Sequence, residues 1–412
     1  MSEPTPAAGA PPAVASRLST MFFLQFAVFG SQTILLAGHM RELGFSGTQI
    51  SWVYATGALA ALISPVVAGF LADHFLPTQR LVGICYLLCA PLLWWAWTER
   101  SFGGLWASLF LFQLLHVPTM GLTNVVALCH WPDVRRLGHI RAWGTIGWVA
   151  ISWCLSLYLR WRGGDGGAHL GDGLCISAGL ALVMGAYCLT LPHTPPGGAN
   201  RHPLALLDGF RLVAASGPFQ VLFCVSFVVA AARPFFYNLG FLFFSDPHGV
   251  NLSLSSSAAV MSLGQIIEIG AMLGLATTLR VLGTRWTICL GALAQGVRFA
   301  VFSMGGPAWL VIAAQSLHGI GFTFFSIGSV LAVEALAPRE KRGSAQGLLV
   351  FVNGGLGALA GHGLSGWAYD RFGATTSAGF APDWGLIYLL PAIGAIGAGL
   401  AFALLYRDPH RP

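Results

Sequence analysis

The chain has 412 residues, of which 21 are Lys or Arg and 15 are Asp or Glu, so 9% of its residues are charged. Soluble domains carry about 25% charged residues. A chain with 55% hydrophobic residues and a mean hydropathy of +0.71 cannot hide them all in a water-soluble fold of this size. The composition therefore excludes an ordinary soluble enzyme and predicts a protein whose main solvent is lipid.

The N-terminal part of the chain predicts a tail followed by a first set of membrane spans. Residues 1–16 are rich in Pro and Ala without a helical apolar period, so we expect a disordered tail. A span of the bilayer core takes about 20 helical residues. Six charge-poor stretches reach that scale: 18–40, 48–72, 81–98, 101–132, 142–159 and 173–191.

A polar break rich in Pro and Gly follows, and we expect residues 193–212 to form a cytoplasmic loop. Six more apolar stretches come after it: 213–245, 253–279, 284–304, 307–336, 343–369 and 384–406. The sequence predicts an all-α membrane protein with twelve transmembrane helices. Its two six-helix bundles, at 17–192 and 213–412, are typical of transporters of the major facilitator type.

The distribution of positive charge predicts the orientation of this plan. It places 13 of the 21 Lys and Arg residues on the side of the termini and 5 on the other side. Because Lys and Arg concentrate in cytoplasmic loops, we expect both termini to be cytoplasmic, in a bacterial inner membrane.

A Gly-x-x-x-Asp pattern occurs twice. Gly69 to Asp73 lies at the predicted cytoplasmic end of the second span, where major facilitator proteins carry such a loop motif. Gly366 to Asp370 has the same spacing on the opposite side of the membrane. We interpret the second copy as a chance match.

Glu268 is the only carboxylate deep within a predicted span. Placing a charged group there costs about 2.5–3.5 kcal/mol of insertion free energy, so we take an acidic residue within the membrane to be functional as a hypothesis. Gln265 lies three residues earlier, on the same helix face. We expect Glu268 to carry a proton and Gln265 to bind solute; the alternative is a structural carboxylate paired with an Arg of a neighbouring helix.

Arginines provide further candidates. Arg141 and Thr145 lie one turn apart, so a guanidinium and a hydroxyl point the same way. The alternative for Arg141 is snorkelling to the headgroups. For Arg298 a structural role is favoured, and Arg233 is a similar case.

Polar and aromatic residues on spans 1, 4, 7 and 10 complete the candidate site. Any one of them alone is explained by an interhelical hydrogen bond worth about 0.6 kcal/mol. His318 and Phe322 lie one turn apart, which suits stacking on a flat ring. These candidates are Gln25, Asn124, Asn238, His318, Phe322 and Thr323.

In order along the chain, several of these segments resemble the nucleoside:proton symporter family of the major facilitator superfamily. The likeness runs from about residue 19 to 406. It rests on Leu24-Gln25-Phe26, Gly30-Ser31, Pro118-Thr119 to Asn124, Arg141-x-Trp143-Gly144-Thr145-Ile146-Gly147, Leu191-Pro192-His193, Met261-Ser262 with Gln265 and Glu268, Arg298-Phe299 and Ser344-Ala345-Gln346-Gly347.

The resemblance implies a transporter that imports nucleosides with a proton by alternating access. It also implies a nucleoside site lined by Arg141, Thr145, Asn238, Gln265, Glu268, His318 and Phe322. The family usually places an Asp directly after the aromatic residue of span 10, where this chain has Thr323. Proton coupling here therefore either relies on Glu268 or is absent, although His318 could share the proton. The chain also has Phe235 at a family polar position of span 7.

Other functions remain alternatives. A facilitator or symporter for a sugar or nucleobase keeps the fold, whereas a receptor or membrane enzyme would change the class. Against an enzyme, the sequence has no cluster of acid, base and nucleophile at one face and no phosphate-binding loop motif. No cysteine spacing matches a metal site. We expect no cofactor, no nucleic acid partner and a monomer in the lipid bilayer.

Overall fold

The computed structural model describes residues 12–131, 134–163, 167–196, 205–377 and 379–407. Most of the predicted tail, the middle of the predicted inter-half loop and the Asp73 side chain lie outside this part. The described chain is nearly all helical, because a chain in lipid must satisfy its backbone hydrogen bonds within each segment.

The helices of the first half pack side by side, with α1 on α6 and α7, and α4 on α5 and α7. A break at Leu35 separates the first two helices. The helices are α1 (Pro12–Ile34), α2 (Leu36–Glu42), α3 (Gly47–His74), α4 (Thr78–Thr98), α5 (Phe102–His130), α6 (Val134–Trp161) and α7 (Asp172–Tyr187).

The second half contains more broken helices. Two π turns, Phe322–Ile327 and Phe351–Leu356, interrupt its helices. The helices are α8 (Ala205–Ala214), α9 (Gly217–Ser245), α10 (Leu254–Val260), α11 (Leu263–Ser303), α12 (Ala308–Gln315), α13 (Leu317–Gly321), α14 (Gly328–Leu336), α15 (Arg342–Val350), α16 (Gly357–Arg371) and α17 (Trp384–Leu405), with an antiparallel hairpin of β1 (Gly373–Thr376) and β2 (Gly379–Pro382) before the last helix.

The described residues contain ten helical stretches that are long and apolar enough to cross a membrane. One of them, Leu254–Ser303, covers two predicted spans. Gly283 breaks α11 between these spans with a φ of 78°, a conformation that glycine adopts without steric cost. The count of twelve transmembrane helices stays a prediction.

Two predicted boundaries differ from the structure. The first helix begins at Pro12, inside the predicted disordered tail. Helix α8 begins inside the predicted inter-half loop, ends just beyond it at Ala214, and packs on α15. Its apolar residues repeat with a helical period around Asp208 and Arg211, and the Pro- and Gly-rich residues before it hid this signal.

The two halves meet tightly at one end of the bundle, which we call the closed end. Arg41 donates to Asp246 across the halves, with Nη1 and Oδ2 2.6 Å apart. Helix α16 packs on α3 and α10 packs on α6. In the described residues, every side-chain hydrogen bond between the halves lies toward this end, at Arg41, at Ser51 or at Asp370.

Candidate functional site

Arg141 and Asn124 form a hydrogen bond between α6 and α5. Arg141 Nη1 donates to Asn124 Oδ1 at 3.0 Å, and Asn124 Nδ2 donates to the Met120 carbonyl at 2.8 Å. The Arg141 side chain is exposed and interacts electrostatically with Glu268 of the other half. Arg141 therefore faces the space between the halves, and Asn124 fixes its position.

Glu268 faces this space from α11. It interacts electrostatically with Arg141, but the described residues give it no ion pair within 4.0 Å and no hydrogen bond. The structural alternative, a carboxylate tightly paired with an Arg, is not what this geometry contains. A carboxylate without a fixed partner can gain and lose a proton without breaking a packed contact.

Gln265 lies one turn before Glu268. When its amide is oriented to suit its neighbours, the nitrogen donates to the carbonyls of Met261 and Ser262 at 3.1 Å each. Both Gln265 and Glu268 are buried, at 6% and 8% exposure. These two carbonyls lie at the break between α10 and α11, so backbone groups of the same segment hold the Gln265 amide in place.

His318 forms part of a buried cluster with Arg298. Arg298 Nη1 lies 3.1 Å from His318 Nδ1 and donates to Gln315 Oε1 at 3.3 Å. Because a guanidinium can only donate, His318 Nδ1 accepts and the imidazole is neutral. Protonation of Nδ1 would break this bond, so the geometry disfavours a proton shared with His318. Arg298 is fully buried, as expected for a structural role.

The start of the α13–α14 π turn supplies the aromatic surface. The ring of Phe322 is half-buried and stacks on His318 with centroids 6.4 Å apart and planes at 26°. Thr145 is also half-buried, across the bundle on α6. Thr323 is fully buried, and its hydroxyl has no partner.

Two predicted site residues lie outside this cavity. Gln25 is fully buried within the first half, where its Oε1 accepts from Thr123 Oγ1 at 2.9 Å. Asn238 is fully buried at the closed end, where its Nδ2 donates to Ser51 Oγ at 3.1 Å and to Ser365 Oγ at 2.8 Å. In this conformation both side chains hold helices together, because neighbouring hydroxyls already satisfy their amides.

The structure adds cavity residues that sequence reasoning missed. Tyr237 is half-buried, and its ring lies 6.4 Å from those of Trp148 and His318. It also interacts electrostatically with Glu268. Arg233 lies one turn before Tyr237 on the same face of α9. The sequence offered Tyr237 and Asn238 side by side, and apolar residues around the whole helix gave no signal for which one faces the cavity.

No metal centre forms in the described residues, since no group of three or more His, Cys, Asp or Glu side chains could hold an ion. The described residues around the cavity offer hydrogen-bond donors, aromatic rings and the carboxylate of Glu268. Such a set can hold a polar molecule through hydrogen bonds and ring stacking.

Comparison with known proteins shows the family to which the chain belongs. The sequence pattern of the nucleoside H+ symporter family matches residues 13–411. The chain belongs to that family. It is 28% identical to the xanthosine permease of Escherichia coli (strain K12) over 423 residues, covering 97% of each chain. It is 27% identical to the nucleoside permease NupG of the same organism over 413 residues, covering 96% of each.

Solved structures agree with membership of the nucleoside H+ symporter family. A crystal structure of a mutant of the nucleoside transporter NupG matches with a TM-score of 0.85 and 26% identity, over 96% of this chain and 100% of that one. The peptide transporter POT in complex with sulfate matches with a TM-score of 0.73 at 16% identity, which shows the shared fold alone. The fold is that of major facilitator transporters, and the receptor and enzyme alternatives no longer apply.

Proposed function

We propose that this chain imports nucleosides together with protons across the cytoplasmic membrane by alternating access. The single observation that carries the proposal is that Arg141 of one half and Glu268 of the other interact electrostatically in a chain of the nucleoside H+ symporter family. Movement of one half against the other changes the separation of this pair. Solute and proton binding can therefore both bias the position of the halves.

Hydrogen-bond donors and aromatic rings around the cavity recognise the nucleoside in this proposal. Arg141 and Gln265 offer hydrogen bonds to ribose hydroxyls and base edges, and Thr145 lies one turn from Arg141. His318 and Phe322 provide stacked rings for a flat base. Asn124 positions Arg141, and Glu268 carries the proton.

Both termini are cytoplasmic in this proposal, so the closed end faces outward and the structure is open toward the cytoplasm. The moving bodies are the bundles at 17–192 and 213–412, joined by the loop at 193–212. Because one chain supplies both sides of the cavity, a monomer in the bilayer suffices for transport.

Uptake into proteoliposomes tests this function. Radiolabelled nucleosides, nucleobases and sugars are offered with an acidic exterior, without a pH gradient, and with an uncoupler. We expect accumulation of nucleosides only with the gradient. Equal uptake in all three conditions would replace symport by facilitated diffusion, and preference for sugars or free bases would refute the substrate class.

A further inference from the structure

Helix α9 presents Arg233 and Tyr237 on one face, one turn apart. Arg233 is half-buried and interacts electrostatically with Tyr237, with His318 and with His362. Tyr237 in turn lies against Trp148 of the first half. This face of α9 therefore borders the central cavity.

The charge of Arg233 has no opposite charge beside it. Arg233 Nη2 donates to the Asn353 carbonyl at 3.2 Å, and the described residues place no carboxylate within 4.0 Å. Asn353 belongs to the Phe351–Leu356 π turn, and its side-chain Oδ1 is buried without a partner. Among the described residues, the guanidinium is thus held by a backbone carbonyl and not by an opposite charge.

The other two arginines near the cavity, Arg141 and Arg298, already have partners within the protein. Arg141 interacts electrostatically with Glu268. Arg298 is bonded to Gln315 and His318 and lies over aromatic rings, with its Cζ 4.4 Å from the centroid of Phe299. Among the described residues of this region, three guanidiniums and one carboxylate leave a surplus of positive charge. A charged group within a membrane is costly unless paired, and Arg233 is the cation that a ligand can pair.

We propose that Arg233 is a specificity-determining contact for the base of a bound nucleoside. It selects bases that lose a proton near neutral pH and then carry negative charge; this rests on the proposed nucleoside transport. A guanidinium stays charged and donates two parallel hydrogen bonds, which suits a deprotonated ring nitrogen beside a carbonyl. The half-buried ring of Tyr237, one turn from Arg233, matches a flat base better than a phosphate group.

Xanthosine and inosine test this proposal because they share ribose and purine ring while only the xanthosine base ionises near neutral pH. Binding to the purified protein in lipid nanodiscs is measured by calorimetry, above and below the pKa of the xanthosine base. Above it, xanthosine should bind about tenfold tighter than inosine, the scale of one charge-assisted hydrogen bond. Below it, the two affinities should be similar.

The ratio of the xanthosine and inosine affinities separates the effect of the charge on the base from the effects of protein titration. Tyr237, His318 and His362 lie near Arg233, and Glu268 and Arg298 lie near Tyr237. Any titration among these groups acts on both nucleosides. In Arg233→Gln the xanthosine advantage should disappear while inosine affinity changes little. Arg233→Lys should keep part of the advantage, because the charge remains but the paired donors are lost.

Arg285→Gln is the matched control. Arg285 also donates to a backbone carbonyl of a neighbouring helix, that of Ala403, and lies over the ring of Trp286. This variant should retain the full xanthosine advantage.

Several outcomes would overturn the proposal. These are equal affinities in the wild type above the pKa, equal losses for both nucleosides in Arg233→Gln, or tighter binding of a nucleoside monophosphate than of xanthosine. If Arg233→Gln fails to fold, the wild-type affinity ratio across pH still decides. Failure of both nucleosides to bind would instead refute the proposed function.

Discussion

The Asp370 carboxylate accepts a hydrogen bond from the backbone N–H of Gly47 at 2.6 Å, across the two halves. Its other oxygen accepts from the N–H of Thr48 at 2.8 Å and from the Thr48 hydroxyl at 2.5 Å. A carboxylate thus caps the N-terminus of α3, where free N–H groups and the helix dipole favour negative charge. A Cβ on Gly366 would lie 2.8 Å from the Gly47 carbonyl, so glycine permits this approach. The structure gives Asp370 and Gly366 a role at the closed end that their spacing did not predict, and the interpretation of the pattern as a chance match to the loop motif stays a prediction.

Asp370→Asn should loosen the closed end. The change removes the charge of the cap, so we expect the ratio of closed to open conformations to fall about fivefold, or about 1 kcal/mol. Spin labels at Glu42→Cys and Pro247→Cys report the separation of the halves by double electron–electron resonance. The exposed cysteines Cys129, Cys154 and Cys224 are replaced first.

The matched control for this prediction is Asp383→Asn. Asp383 also caps a helix, accepting from the Leu386 N–H at 3.0 Å, but within one half. Its label distances should equal those of the parent. An unchanged distance distribution in Asp370→Asn would show that the cap contributes nothing to closure.

Asn124→Ala should weaken nucleoside binding although Asn124 acts through Arg141. Loss of the hydrogen bond frees the guanidinium, and we expect about fivefold weaker binding, or about 1 kcal/mol. Arg141→Lys should lose at least about tenfold, since an ammonium cannot reproduce the planar fork. Gln220→Ala, which removes an amide bonded to the Ala214 carbonyl outside the cavity, is the control. Calorimetric affinities like that of the wild type in both Arg141 and Asn124 variants would remove this pair from the site.

Glu268→Gln should uncouple transport from the pH gradient. The amide resembles the protonated carboxyl in shape but cannot release a proton, so proteoliposomes should exchange nucleoside without accumulating it. Glu334→Gln is the control, because Glu334 is a half-exposed carboxylate that is paired with Arg342 at 2.8 Å. Gradient-driven accumulation that survives in Glu268→Gln would place the proton site elsewhere.

Thr323→Asp should make uptake depend more steeply on external pH. The Thr323 hydroxyl is buried without a partner, beside the stacked pair of Phe322 and His318. A carboxyl there is expected to bind a proton, since burial of the charged form is costly. Thr323→Asn has the same shape and no titration, so its pH profile should match the wild type. Identical profiles for the Asp and Asn variants would contradict a second proton position.

The sequence by itself determined the membrane class, the family and the line of candidate residues along it. Long charge-free stretches can only be helices in lipid, because each backbone hydrogen bond must close within its own segment. The isolated charge of Glu268 and the spacing of Arg141 and Thr145 also indicated a site from local sequence alone. A charged residue inside a membrane span is costly and is therefore usually functional.

Only the tertiary structure decided which candidates face the cavity. Asn238 and Tyr237 are neighbours in sequence, yet one is fully buried against Ser51 and Ser365 and the other borders the cavity. Asp370 caps α3 only because α16 packs on α3, which brings Asp370 next to Thr48 although the two residues are 322 positions apart in the sequence. Which face of an apolar helix is used depends on the partner helix that covers it, and that information is not local to the helix.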